Sequence, residues 1–543
     1  MINYLRTIAA VLLLATSIAQ IACARELAQG DNHLDAGESI YLRGVLGSGK
    51  PLIAQRNGMS IEGRDAACVN CHRRSGFGAK EGRITVPPVT GQYLFSPRED
   101  ADLPYLETMR IGRDPYNDKS LASAIRDGHD VEGRPLDYLM PRFELNETDM
   151  AALIAYLKRL DKNRVRGVTD TVLHFATIIT PDADPVKRQG MLDVIEKYFA
   201  NKNAVSMGPK PRLRTSRKVM FMVHRRWQLH VWPLAGPADT WEAQLNRYLA
   251  KEPVFAVVSG LGGSNWAPVH SFCERNSVPC LFPNIEAPPA IADSDFYSLY
   301  FSRGVLLEAG LIANQMFNQE SGKETKVVHQ IFRTGDSGEI GAQALTDSLK
   351  QHGITVHSHA LSANASDTGL TKALHEASHA DALMLWLRPD DIAQLDAPPE
   401  SVTIFMSGLM GGLERSPLPA DWRERARFAY PFDLPEDRRT GITQAFGWFR
   451  IRKIPVVAEQ VQADTYLACG LLAETLSYMA DTFVPDYLIE RVEEMIDRRI
   501  ITGYYPHLTL ASGQRFASKG GYVVHFPEAQ GTRVIADQEW FVP

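Results

Sequence analysis

Cys68, Cys71 and His72 stand together in the stretch AACVNCHRRSG, residues 66–76, of a chain that has only six cysteines. Three chemistries use two thiols three positions apart: a redox dithiol, half of a zinc site, and covalent attachment of haem c, which adds a histidine directly after the second cysteine. At the cysteine and histidine frequencies of this chain, CxxCH arises by chance in about two chains per thousand. A reactive dithiol needs a helix N-terminus after a buried strand, and the preceding GMSIEGRDAA is not such a strand. Zinc needs two further ligands at short spacing. The later cysteines lie some two hundred residues away, and His129 alone does not complete a tetrahedron. Haem c needs two thiols about one helical turn apart to add to the porphyrin vinyl groups, with His72 beneath the iron as proximal ligand.

An iron held by one imidazole has an open axial face, so a second ligand is sought downstream. The segment RPLDYLMPRFELNETDMAALIAYLKRL offers Met140, followed by Pro141, whose locked φ and missing N–H stiffen the loop presenting the thioether. His129 is the alternative ligand. A lone methionine is usually packing; Met109 and Met150 read as core, whereas Met140 sits in a proline-bounded loop ahead of a closing helix. With both axial positions filled by protein, the iron carries electrons; with Met140 unbound, ligand sensing or peroxidase chemistry becomes open.

Two helices must position these groups. Asn146 reads as an N-cap with Asp149 at the capping-box position, followed by an apolar stripe of Met150, Leu153, Ile154, Leu157 and Leu160. Upstream, DAGESIYLRGVLGSG reads as a short amphipathic helix with Ile40, Tyr41, Gly44 and Val45 near one face, Gly44 allowing a close helix crossing. This set of an N-terminal helix, CVNCH, a Met-Pro loop and a C-terminal helix ending AYLKRL resembles the class I c-type cytochromes over residues 33–162. The resemblance implies a small all-α domain wrapping one haem, attached at Cys68 and Cys71 and ligated axially by His72 and Met140. The insert GFGAKEGRITVPPVTGQYLF is then expected to line a haem edge. Arg73 and Arg74 either sit near the propionates or are exposed loop residues.

At 543 residues the chain is too long for one core. Apolar and charged contents of 45% and 22% are those of a folded globular protein. The start MINYLRTIAAVLLLATSIAQIACA has Arg6, an apolar run too short to span a bilayer, and Ala22-Cys23-Ala24 as a small-x-small site, so residues 1–24 read as a secretory signal and the protein as periplasmic. Cys23 also permits a lipid anchor, which Gln20 fits poorly. No later segment has the apolar length of a transmembrane helix. With 64 acidic against 58 basic side chains, the balance argues against a nucleic-acid partner. The acid-free run from Lys202 to Lys218 reads as a solvated loop, or as a docking surface for an acidic partner.

After the polar link KNRVRGVTDT the pattern changes to apolar, β-branched runs such as VLHFATIIT, VFAVVSG, KVVHQIF, ALMLWL and VTIFMSG, alternating with amphipathic helices. That alternation predicts parallel sheets covered by helices, and its length predicts two α/β lobes. Order and spacing over residues 171–543 resemble the type I periplasmic binding proteins of the amino-acid-binding branch, carried by ATIITPDAD, FAVVSGLGGSNWAPVHSFCERNSVPCLFP, VVHQIFRTGDSGEIGAQALTDSL and ADTYLACGLLAETLSYM. The ending GYYPHLTLASGQRFASKGGYVVHF reads as a β-hairpin and is similar to the binding-protein-like components of pyrroloquinoline-quinone alcohol dehydrogenase systems. The fold class expected is therefore multidomain, an all-α cytochrome c domain followed by a two-lobed α/β module.

In such folds ligands bind at the carboxyl ends of strands. The N–H groups of Gly262, Gly263 and Ser264, with Asn265 beside them, offer a carboxylate site, or simply an ordinary strand-to-helix turn. Asp336 in TGDSGEIG is placed like an acid for a ligand amine, or serves as a plain N-cap. Trp266 brings bulk that departs from a simple amino-acid pocket. Cys273 and Cys280 are a candidate disulfide in an oxidising compartment; Cys469 reads as a buried thiol. No dinucleotide fingerprint, G-x-S-x-G elbow, HExxH or P-loop occurs. These features predict a non-enzymatic, exported electron carrier with one haem c, a small-molecule or partner-docking module, and a redox partner such as a quinoprotein dehydrogenase or a terminal oxidase chain. The rival reading is a solute-binding protein for an ABC uptake system whose haem is structural or sensory.

Overall fold

The computed structural model describes residues 35–81, 84–96, 114–160, 165–206, 225–317, 325–363, 369–479 and 482–543. The stretch expected to be a secretory signal, residues 1–24, Met109 and most of the basic run after Lys202 lie outside the described residues. The chain divides into two compact units, Met1–Asn163 and Arg164–Pro543. No described helix is long and apolar enough to cross a membrane.

In the first unit, helix Ala36–Arg43 packs against helix Glu147–Arg159. Asp35 caps the first helix through the Glu38 N–H, and Asn146 caps the second through the Asp149 N–H at 2.9 Å. The predicted stripe is buried: Met150, Leu153, Ile154 and Leu157 join Ile40 and Tyr41 in one core, each contributing about 1.5–3 kcal/mol of apolar burial. The glycine at the crossing is Gly37, where a Cβ would lie 2.1 Å from the Ala152 carbonyl oxygen. Gly44, expected there, instead ends the helix in the left-handed conformation at φ 65°, a C-cap that frees the chain to turn. Besides its helices the unit has a three-stranded antiparallel sheet in the order β2-β1-β5, from Met59–Glu62, Ile53–Arg56 and Arg142–Glu144. A hairpin of β3 (Ala79–Glu81) and β4 (Ile84–Val86) lies within the insert.

The second unit holds two sheets. The first, in the order β10-β9-β8-β6-β7, is parallel throughout, with β6 at Val172–Ile179, β7 at Arg226–Pro233, β8 at Ala256–Val258, β9 at Cys280–Leu281 and β10 at Ser298–Leu299. The second runs β12-β11-β13-β14-β15-β16-β17, from Thr355–Leu361, Val327–Arg333, Ala382–Trp386, Thr403–Ser407, Ala426–Tyr430, Tyr522–His525 and Ile535–Ala536. Its first five strands are parallel and repeat the order of the first sheet, second strand outside the first and the next three on the other side. Each lobe therefore reverses winding direction beside its first strand, the switch point at which open α/β sheets form a crevice.

The ending is not a hairpin. Arg515–Ala517 runs beside Tyr300 of the first lobe, with Tyr300 N–H donating to the Arg515 carbonyl at 2.9 Å and Ala517 N–H to the Tyr300 carbonyl at 3.0 Å. The later half, β16, pairs antiparallel with β15 of the second lobe and with β17. Local alternation in this segment reflects two different sheet partners, which a sequence window does not distinguish.

Candidate functional site

Cys68 caps the single-turn helix Val69–His72, so both cysteines and the histidine share one turn of chain. The turn is tied on both sides: Tyr41 OH donates to the Arg73 carbonyl at 2.7 Å, and Gly78 N–H to the His72 carbonyl at 3.0 Å. Burial pushes the Cys68 thiol up to about 12, the reverse of the activated thiolate a redox dithiol needs. His72 is 6% exposed; its burial lowers the imidazole pKa, opposed by the Pro87 carbonyl, so the ring is neutral. Its Nδ1 lies 3.0 Å from that carbonyl oxygen, which fixes Nδ1 as the proton-bearing nitrogen. Nε2 is buried and has no hydrogen-bond partner among the described residues. A buried polar atom without a partner is costly. A neutral imidazole oriented through Nδ1, with its free lone pair facing inward, has the form of a metal ligand with its supporting carbonyl. The donor set of two thiols and this nitrogen fits haem c.

Met140 lies in the loop two residues ahead of β5. Its N–H donates to the Asp137 carbonyl at 3.0 Å, and Arg142 reaches back to its own carbonyl. Upstream, Leu136 N–H donates to the Gly128 carbonyl at 2.8 Å; downstream, β5 is registered on β1 and Asp149 at the start of the following helix accepts from Gly47 N–H at 3.0 Å, so the loop is held from both ends. Met140, Cys68 and Val69 are all partly buried against the same core. His129, the alternative ligand, is exposed and forms a bridge with Pro135. Pro87, the partner of His72, was not singled out in the sequence; the long insert containing it was the signal.

In the second unit each predicted ligand residue lies at a switch point. At the carboxyl end of β6 and β8, Ser264 N–H donates to Asp182 Oδ2 at 3.2 Å and Gly263 N–H to Thr180 Oγ1 at 3.3 Å. The turn does meet a carboxylate, but the protein's own, and Asn265 Oδ1 accepts from Ala267 N–H at 3.1 Å. Trp266 is 2% exposed and packs over Gly260 and Gly262, so its bulk goes into the first-lobe core. Asp336 caps helix Ser337–Lys350 and also pairs with Arg388, Nε to Oδ2 at 2.9 Å and Nη2 to Oδ1 at 2.6 Å. Cys273 and Cys280 are joined by a disulfide with Cα atoms 6.2 Å apart, and Cys469 is a buried free thiol.

Residues 64–161 match the family model for cytochrome c. No curated protein matches the sequence. Among solved structures, a branched-chain amino acid ABC transporter protein from Thermus thermophilus with bound valine is 11% identical, with a TM-score of 0.50 over 69% of this chain and 97% of its own. A substrate-binding periplasmic protein from Ralstonia solanacearum is 12% identical, with a TM-score of 0.50 over 67% and 100%. The chain thus joins a cytochrome c region to a two-lobed α/β module with the periplasmic binding protein fold.

Proposed function

We propose that this protein is an exported electron carrier, with one haem c in the first unit and the two-lobed module serving to engage a partner or small molecule. The observation that carries the reading is the buried His72 Nε2, without a partner among the described residues and within one turn of two cysteines. Cys68 and Cys71 would hold the group covalently, and His72 and Met140 would supply the side chains that ligate its iron. When bound, haem c supplies one-electron exchange between ferric and ferrous iron. The chain's own part is to orient His72 through the Pro87 carbonyl, to exclude water around it, and to present the Met140 thioether from a braced loop. With both His72 and Met140 engaged, the chain would carry electrons and would not act as an enzyme. The similarity of its ending to proteins of pyrroloquinoline-quinone alcohol dehydrogenase systems favours a periplasmic quinoprotein dehydrogenase as redox partner, with an oxidase chain as the other choice.

Haem staining of the denatured, matured protein tests attachment, and spectra in both redox states test ligation. Covalent haem, a sharp reduced α band and the weak near-infrared band of methionine-ligated ferric iron are expected, the last lost in Met140→Ala. Colourless protein overturns the reading. Carbon monoxide binding to reduced protein without displacement of an axial ligand would point to haem chemistry instead.

A second reading, a solute-binding protein with a structural or sensory haem, draws on the two switch points. Saturable binding of amino acids or small acids, followed by tryptophan fluorescence and leaving the haem potential unchanged, would favour it.

A further inference from the structure

Four charged side chains meet at the carboxyl ends of the strands of both lobes. Lys187, in the first turn after β6, and Glu286, five residues beyond β9, belong to the first lobe; Asp336, beyond β11, and Arg388, beyond β13, belong to the second. Arg388 forks twice. It grips Asp336 through Nε and Nη2, and crosses to Glu286 through Nη1 at 3.0 Å and Nη2 at 2.6 Å. Lys187 Nζ completes the set at 3.1 Å from Glu286 Oε1.

The quartet contains two positive and two negative charges, so it is balanced without any bound molecule. Burial pushes the Glu286 carboxyl up, yet Lys187 and Arg388 outweigh it and hold it at about 2. Both acids of the quartet are already paired with cations of the protein. We propose that Arg388 is the resident counter-ion of the interlobe cleft, closing the two lobes without a ligand and excluding ligands that carry an ammonium group. An entering ammonium would find Asp336 and Glu286 already taken by cations and would stand beside Arg388 and Lys187, a like-charge contact that is costly where water is partly excluded. A zwitterionic amino acid is therefore the wrong class for this cleft. A second ion pair, Arg415 to Glu459 at 2.9 Å, spans from the segment after β14 to the helix Glu459–Met479, which packs on the first-lobe helix Pro185–Ser206. Geometry selects the planar guanidinium: a lysine at 388 would lack the two paired forks.

The inference concerns the second unit alone and stands or falls separately from haem attachment. Its test places nitroxide labels at Arg247→Cys in the first lobe and Gln343→Cys in the second, both exposed helix positions, in the full-length chain with Cys68 and Cys71 carrying haem in the ferrous state. Should no haem be attached, the same labels go into a Cys68→Ser, Cys71→Ser background. One narrow interlobe distance, unchanged by millimolar amino acids, is expected, together with no saturable heat on titrating leucine, valine or lysine. Arg388→Met and, independently, Glu286→Gln should lengthen or broaden the distance. Arg388→Met, which frees Asp336 and leaves Glu286 to Lys187 alone, should raise affinity for lysine or a simple alkylammonium at least about tenfold. A broad wild-type distribution that narrows on adding an amino acid, or saturable amino-acid binding by the wild type, would overturn the proposal. The wild-type measurements decide even if a variant does not fold.

Discussion

His72 Nδ1 is 3.0 Å from the carbonyl oxygen of Pro87, fifteen residues later in the chain. The contact couples the insert after the CxxCH turn to the electronic character of the imidazole, because a carbonyl accepting the Nδ1 proton raises the basicity of Nε2. Pro87→Gly should loosen the carbonyl and shift the reduction potential upward, on the order of 40 mV if about 1 kcal/mol of hydrogen bonding is lost. Spectroelectrochemical titration measures it, and an unchanged potential would show that the contact holds the ring without tuning it.

Gly37 crosses the closing helix at a distance no side chain tolerates. Gly37→Ala puts a Cβ against the Ala152 carbonyl and Tyr156, and should cost the first unit at least about 2–3 kcal/mol by overpacking. The same change at Gly49, where nothing lies within 4 Å but φ is +80°, should cost only about 1 kcal/mol. Thermal melts followed at the haem absorbance compare the two. The N-terminal helix, its apolar face and the need for a small residue at the crossing could be read from spacing, yet the glycine chosen was Gly44. Where a helix stops is set by which carbonyls find partners; Gly44 N–H turns back to Ile40 and Ser39, and that exchange is invisible in a hydrophobic pattern.

Glu308 is buried in the second lobe, where its carboxyl accepts from Ser407 OH and from Leu409 N–H at 2.8 Å. Burial pushes it up to about 8, against the lowering effect of those bonds. Its folded pKa is raised above the unfolded value, so its contribution to stability is full below the ordinary carboxylate pKa and is lost as pH rises towards 8. Stability should fall by about 1.4 kcal/mol per pH unit across that window from this group. Glu308→Gln, which keeps the shape and one acceptor oxygen while removing the titrating group, should flatten the alkaline side of a denaturant-midpoint profile against pH; an unchanged slope would assign the loss elsewhere.

The two lobes share a second device. His174 Nδ1 lies 3.0 Å from His230 Nε2 across β6 and β7, and His329 Nδ1 lies 2.9 Å from His359 Nε2 across β11 and β12. Each outer histidine leans on a glutamate, Glu252 at 3.2 Å and Glu376 at 3.3 Å. Burial lowers the pKa of His174, and the neighbouring charge of His230 adds to it. His329 and His359 are lowered by burial first and by histidine neighbours, with Glu376 opposing. A depressed pKa means stability present above about 6.5 and lost as pH falls through the folded values. His230→Gln and His359→Gln should each reduce the acid-side loss, by roughly half a kcal/mol at these part-exposed sites, read by chemical denaturation between pH 7 and 5.

Much of the chemistry here is local and was readable as text. The CxxCH turn needs only three neighbouring side chains on one helical turn, Met140 is marked by the proline after it, and period and composition announce parallel strands alternating with helices. Those signals survive because each is satisfied within a few residues. What folding alone decided is who meets whom across long loops. Asp182 fills the turn at Ser264 from 82 residues away, and Glu286 takes Arg388 from 102. A charged group in a crevice pairs with whatever opposite charge the packing brings within reach, and that choice is made by the closed sheets and their winding order, not by any stretch of sequence around the residue itself.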